Sequence, residues 1–164
     1  MTLSITTVRP VPPLAQDPSE ALDEILAWAE AEAAKQAAGL PSEWDQGHWA
    51  VDPVIYNRYM GPANALQTPV NCGTACCLAG RVVHQDGGLF QIDRETGVAF
   101  RAEMPGGNEV EVDSYARTRL GLTSYQADAL FWGGNKIEDV RRIIADIKDG
   151  VLYPEYDLDA DDDY

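Results

Sequence analysis

Asn71-Cys72-Gly73-Thr74-Ala75-Cys76-Cys77-Leu78-Ala79-Gly80 is the stretch on which the fold turns. Thr74 has the hydroxyl of an N-cap. Gly73 lets the chain turn sharply just before it. Leu78 and Val82 follow four positions apart, with Ala75, Ala79 and Val83 nearby, so the spacing predicts a helix entered at Thr74. Gly80 inside that helix costs about 1 kcal/mol relative to alanine. Close approach of another element is the usual reason to accept such a glycine. The helix is therefore expected to be clamped within the fold, its small thiols filling tight space beside Gly80. Gly87-Gly88 stops it.

Upstream, Asp17-Pro18-Ser19-Glu20 is a helix start: a capping carboxylate, a proline suited to the first turn, and a glutamate three residues after the cap. Leu22, Ile25, Leu26, Ala29 and Ala33 continue at helical spacing, predicting a helix over 18–38 with an acidic outer face. Residues 40–71 show little periodicity but hold Trp44, Trp49, Tyr56 and Tyr59. So many aromatics predict a loop packed onto the domain, with an aromatic binding surface as the alternative.

Downstream the period changes. Phe90-Gln91-Ile92-Asp93 and Val98-Ala99-Phe100-Arg101 alternate around Arg94-Glu95-Thr96-Gly97, which predicts a hairpin. Glu109-Val110-Glu111-Val112 adds a third strand. Asp113 is read as the cap of a short helix ending at Leu120-Gly121. Thr123-Ser124-Tyr125-Gln126 is a capping box. Ile137, Val140, Ile144 and Ile147 mark a last amphipathic helix closed by Gly150. The expected class is α+β, mainly helical: about five helices with a small hairpin or three-stranded antiparallel sheet. The expected organisation is an extended arm over 1–16, one globular domain over 17–153 and a flexible acidic tail over 154–164.

Composition limits the functions. The formal charge is −15, with 27 acidic against 12 basic residues. Such a surface repels nucleic-acid phosphate and anionic lipid. Direct nucleic-acid binding is therefore not expected, and because no window approaches eighteen uninterrupted apolar residues, neither is a membrane span. Three clustered cysteines are not a secreted disulfide framework, and reduced thiols in a cytoplasm are the simpler account. Residues 1–16 lack the apolar core of a secretory signal.

Candidate chemistry is sparse. Cys72 and Cys76 lie near a helix start, where the dipole favours a thiolate, but only His48 and His84 exist as bases. Cys77 and His84 lie two turns apart, roughly 10 Å along one helix axis, too far to share a zinc ion. No metal, no other cofactor and no catalytic residue are expected. Arg117, Arg119, Arg141 and Arg142 form the local basic cluster and are as well suited to internal salt bridges as to a ligand. Trp44, His48, Trp49 and Asn135 are the candidate binding residues. Asn135 follows Gly133-Gly134 at a helix start, an open turn suited to an anion such as a nucleotide phosphate.

Cys72-Gly73-Thr74-x-x-Cys77-x-Ala79-Gly80, then Leu120-Gly121-Leu122-Thr123, then Ala127-x-x-Leu130-Phe131, resembles a group of small uncharacterised proteins of actinobacteriophages and some bacteria. The resemblance spans roughly residues 70–148. An aromatic residue often follows the Ala-Gly pair in that group, where this chain has Arg81. The resemblance implies a shared helical scaffold and a phage-type accessory protein, without a reaction. The expected function is a non-enzymatic protein that binds a basic host or viral protein through its acidic surface, one version being a DNA mimic. The alternatives are a thiol-dependent enzyme or redox protein using Cys72 or Cys76, a small-nucleotide binder, and a minor virion component.

Overall fold

The computed structural model describes residues 12–61 and 76–151. The order of elements is α1 (Pro18–Ala37), β1 (Ala50–Val51), α2 (Pro53–Met60), α3 (Leu78–Gln85), β2 (Leu89–Phe90), β3 (Val98–Ala99), β4 (Arg101–Glu103), β5 (Glu109–Glu111), α4 (Val112–Arg119), α5 (Ser124–Phe131) and α6 (Ile137–Lys148). The chain is thus α+β and mainly helical, with six helices among the described residues where about five were expected. No helix among the described residues is long and apolar enough to cross a membrane.

Local signals place several ends. The Asp17 side chain accepts from the Glu20 amide at 3.0 Å, and Pro18 opens α1. Thr123 and Gln126 exchange side-chain and backbone bonds at the start of α5, completing the capping box. The last turn of α6 is followed by Gly150 at φ +79°. Inside this frame, α3 packs mainly on α4 and α1 on α6. Leu22 and Ile25 of α1, Leu78 and Val82 of α3, and Val140 and Ile144 of α6 share one apolar core. Leu14, ahead of α1, is buried in that same core.

Four expectations change. The N-cap of α3 is Cys77, not Thr74. The Cys76 amide donates to the Glu43 carbonyl (2.9 Å) and the Cys77 amide to the His48 carbonyl (2.8 Å), while Asp45 donates to the Cys76 carbonyl (3.0 Å). Cys76 is held extended against residues 43–48, its carbonyl taken by Asp45, and cannot open the helix; Cys77 enters it only as the cap, its carbonyl accepting from the Arg81 amide at 2.9 Å. Residues 40–71 are not simply a loop: they contain β1 and α2, and Asp52 caps α2 by accepting from Val54 and Ile55. Asp113 is not the cap of α4; Glu111 is, and Asp113 sits in the first turn. The hairpin pairs β2 with β4, Leu89 opposite Glu103 and Phe90 opposite Ala102. β3 instead pairs with β1, Ala99 opposite Ala50. The expected third strand is present as β5, Glu103 lying opposite Glu109.

Candidate functional site

The Cys-Gly-Thr motif divides. Cys72, Gly73 and Thr74 lie outside the described residues. Cys77, Leu78 and Ala79 are fully buried, and Cys76 nearly so. The two sulfur-bearing residues serve different clusters: Cys77 packs in the main core, Cys76 against Ala50 and Ala99. Burial pushes the Cys77 thiol up to about 12, although the Gly80 and Ala79 amides pull the other way. Burial, then Cys77, pushes Cys76 well above the usual thiol range, against the pull of Arg81. Both are neutral thiols at pH 7, a poor state for nucleophilic attack. Gly80 is where the clamp closes: a β-carbon there would lie 1.8 Å from the Trp49 carbonyl oxygen.

Residues 43–49, held by Cys76 and Cys77, carry three of the four candidate binding residues or their neighbours. His48 Nδ1 lies 2.7 Å from Asp45 Oδ2, and its ring meets Tyr56 edge-on at 4.6 Å. Trp49 packs edge-on against Phe131 at 6.3 Å. Trp44 is buried, its indole N–H donating to Gln46 Oε1 at 3.0 Å.

Trp44 and Asn135, separate in sequence, line one open cleft of about 520 Å³. Its walls are the C-terminal part of α1 (Ala33, Gln36, Ala37), residues 44–47 and residues 133–138. Asn135 is not open to an anion. It is buried, and its Nδ2 donates to the Ala129 (2.7 Å) and Leu130 (3.0 Å) carbonyls. Those carbonyls end α5 without intrahelical partners, and Asn135 and Gln46 together supply the missing donors. The role that sequence assigned to a ligand is taken by a helix terminus.

The basic cluster is spent largely on intramolecular bonds. Arg119 binds Asp86 (2.8 Å), Arg141 binds Glu30 (2.8 Å), and Arg142 lies within 4 Å of Asp139 and Asp146. Arg117 donates to the Ser124 hydroxyl at 2.6 Å. Arg81 differs. Its guanidinium lies 5.1 Å from the centre of the Trp28 ring, and its Nε is buried without a hydrogen-bond partner among the described residues.

The outward face of the β2-β4-β5 sheet presents Leu89, Arg101, Glu103, Glu109 and Glu111, all exposed. Arg101 is shared between Glu109 (2.9 Å) and Glu111 (3.8 Å). Glu109 also accepts from Gln91 at 2.8 Å, which, ahead of Arg101, lowers its pKa. Glu103 has no cation beside it among the described residues, yet stands directly opposite Glu109.

No group of three or more potential metal ligands comes together among the described residues. Sequence reasoning missed Asp45, Gln36, Lys136 and Glu138. The Asp45-x-x-His48 spacing was a local signal for the first. The others become neighbours only through the packing of α1 beside α6. Comparison of the chain with family models, curated proteins and solved structures finds no match.

Proposed function

We propose that the protein is a non-enzymatic accessory protein of phage type that engages a basic host or viral protein through its acidic surface. The observation that supports this reading best is the sheet face on which Glu103 and Glu109 oppose one another. Like charges directly across a strand pair are destabilising, so this face carries more negative charge than the fold needs. Leu89, half exposed on the same face, offers apolar contact at its edge. Carboxylates spaced along strands suit lysine and arginine side chains, and in the DNA-mimic version they stand in for phosphates. Thiol chemistry at Cys76 has less support, because that sulfur is buried and neutral.

Pull-down from bacterial host lysate at moderate salt, with the natural protein and a Glu103→Gln/Glu109→Gln/Glu111→Gln variant side by side, tests the reading. The natural chain should retain a basic protein that is released by salt and lost in the variant. Recovery of no salt-sensitive partner counts against it.

A further inference from the structure

The cleft between α1, residues 44–47 and residues 133–138 has a hydrogen-bonding character that its composition hides. Three of its lining residues are amides, each of which ordinarily offers donors and an acceptor. Here the donors are spent inside the protein. Gln36 Nε2 donates to the Trp44 carbonyl (2.8 Å) and the Ser42 hydroxyl (3.4 Å). Asn135 Nδ2 donates to two α5 carbonyls, and Gln46 Nε2 to the Leu130 and Trp132 carbonyls. These carbonyl partners fix which end of each amide is nitrogen. Gln46 Oε1 is taken by the Trp44 indole. Gln36 Oε1 and Asn135 Oδ1 accept nothing from the described residues.

The charged groups tilt the same way. Asp45 and Glu138 line the cleft, against one lysine, Lys136; Asp45 is already bonded to His48 Nδ1 (2.7 Å) and the Gly47 amide (3.0 Å), so Glu138 is the carboxylate left for a ligand. Glu138 and Lys136 form no ion pair with a described residue. The C-terminal end of the 20-residue α1 adds the negative pole of its helix dipole. The opposing positive pole of α6 is already met by Asp139, whose carboxylate accepts from the Lys136 amide at 3.0 Å. An acceptor-rich hollow with a net negative lining suits a donor-rich cation.

We propose that this cleft binds an ammonium or guanidinium group, supplied by a lysine or arginine side chain of a protein or by a free small amine. The protein source rests on the reading of the molecule as a binder of basic partners. The cleft is remote in sequence from the sheet face invoked there, so the two are tested by different substitutions.

The test is calorimetric titration at low salt with N-acetyl-arginine amide, N-acetyl-lysine amide and spermidine. Saturable binding is expected for at least one probe. Glu138→Gln should weaken it roughly threefold, and Lys136→Met, which removes the competing cation, should strengthen it roughly threefold. Both positions are exposed, and unchanged melting temperatures will show that the variants fold. Stronger binding of the capped amino acids assigns the cleft to a protein side chain, and stronger binding of spermidine to a free amine. Failure of all three probes, weaker binding in Lys136→Met, or binding indifferent to Glu138 overturns the proposal. Loss of binding in the sheet variant but not in Glu138→Gln removes the cleft and leaves the acidic-surface reading intact.

Discussion

The carbonyl oxygen of Trp49 occupies the space a side chain at position 80 would need, 1.8 Å from the β-carbon that Gly80 lacks. Backbone fills that space and cannot swing aside as a flexible side chain would. In an unencumbered helix, Gly→Ala stabilises by about 1 kcal/mol. Here Gly80→Ala should do the opposite, costing about 2 kcal/mol or more as α3 is forced away from residues 48–49. Urea unfolding checks the sign. A stabilised variant would show that α3 and Trp49 are not in contact.

Glu32 gives a dependence on pH. It is buried, bonded to Lys35 and to the Glu43 amide (2.7 Å). Burial alone raises its pKa, but the bonds from Lys35, Glu43 and Ser42 outweigh it, and the net shift is downward from 4.5. A lowered folded-state pKa contributes stability above the unfolded value, lost as pH falls through the folded one. Glu32→Gln keeps an acceptor for the Glu43 amide but loses the charge. It should destabilise by about 1 kcal/mol at pH 7. The difference from the natural protein should shrink steadily as pH drops below 4.5, followed by denaturant midpoints at each pH.

The thiols offer a simpler measurement. Cys76 and Cys77 are buried with raised pKa values, Cys77 to about 12. Iodoacetamide at pH 7, read by peptide mass spectrometry, should leave both unmodified in the native protein and label both after denaturation. Native labelling of Cys76 at the rate of a free thiol would reopen the enzymatic alternative.

Helix starts that depend on neighbours in sequence were legible: Asp17-Pro18 and Thr123-x-x-Gln126 act as their spacing implies. Asp52-Pro53 is the same signal as Asp17-Pro18 and predicts α2 equally well. It was masked by the weak apolar pattern of an eight-residue helix with no buried residue. The start of α3 was misplaced for a different reason. Thr74 is locally a better cap than Cys77, but the Cys76 carbonyl, which a helix begun at Thr74 would offer to the Gly80 amide, is taken by the Asp45 amide, about thirty residues away. The cleft is less legible still. Gln36, Asp45 and Glu138 meet through tertiary packing, and the direction of each amide depends on a carbonyl from another element.

Arg119 ties three elements together. It binds Asp86 at 2.8 Å and donates from Nη2 to the carbonyls of Leu14 and Ala15, each at 2.8 Å. Asp86 also accepts from Tyr115 at 2.9 Å; burial, then this bond, raises the Tyr115 hydroxyl to about 12. Arg119→Met removes the guanidinium while keeping most of the stem, leaving a largely buried carboxylate with one donor and two carbonyls with none. A loss of about 3 kcal/mol is expected. Asp86→Asn, which retains an acceptor, should cost less. Limited proteolysis ahead of α1 should quicken in Arg119→Met before the core opens, because Leu14 is held in place by that clamp.

The sheet face links stability to the proposed function. Glu103 and Glu109 are exposed and directly opposed, and the Arg101 guanidinium contacts Glu109 and Glu111. Glu103→Lys replaces repulsion with attraction across the strand pair, so the melting temperature should rise. If the face engages a basic partner, the same substitution should weaken that association and reduce its salt dependence. A variant that gains stability while keeping full affinity would assign the acidic sheet to solubility alone. Opposite movement of stability and affinity would show that the carboxylate is kept for recognition, because nothing in the strand packing requires it.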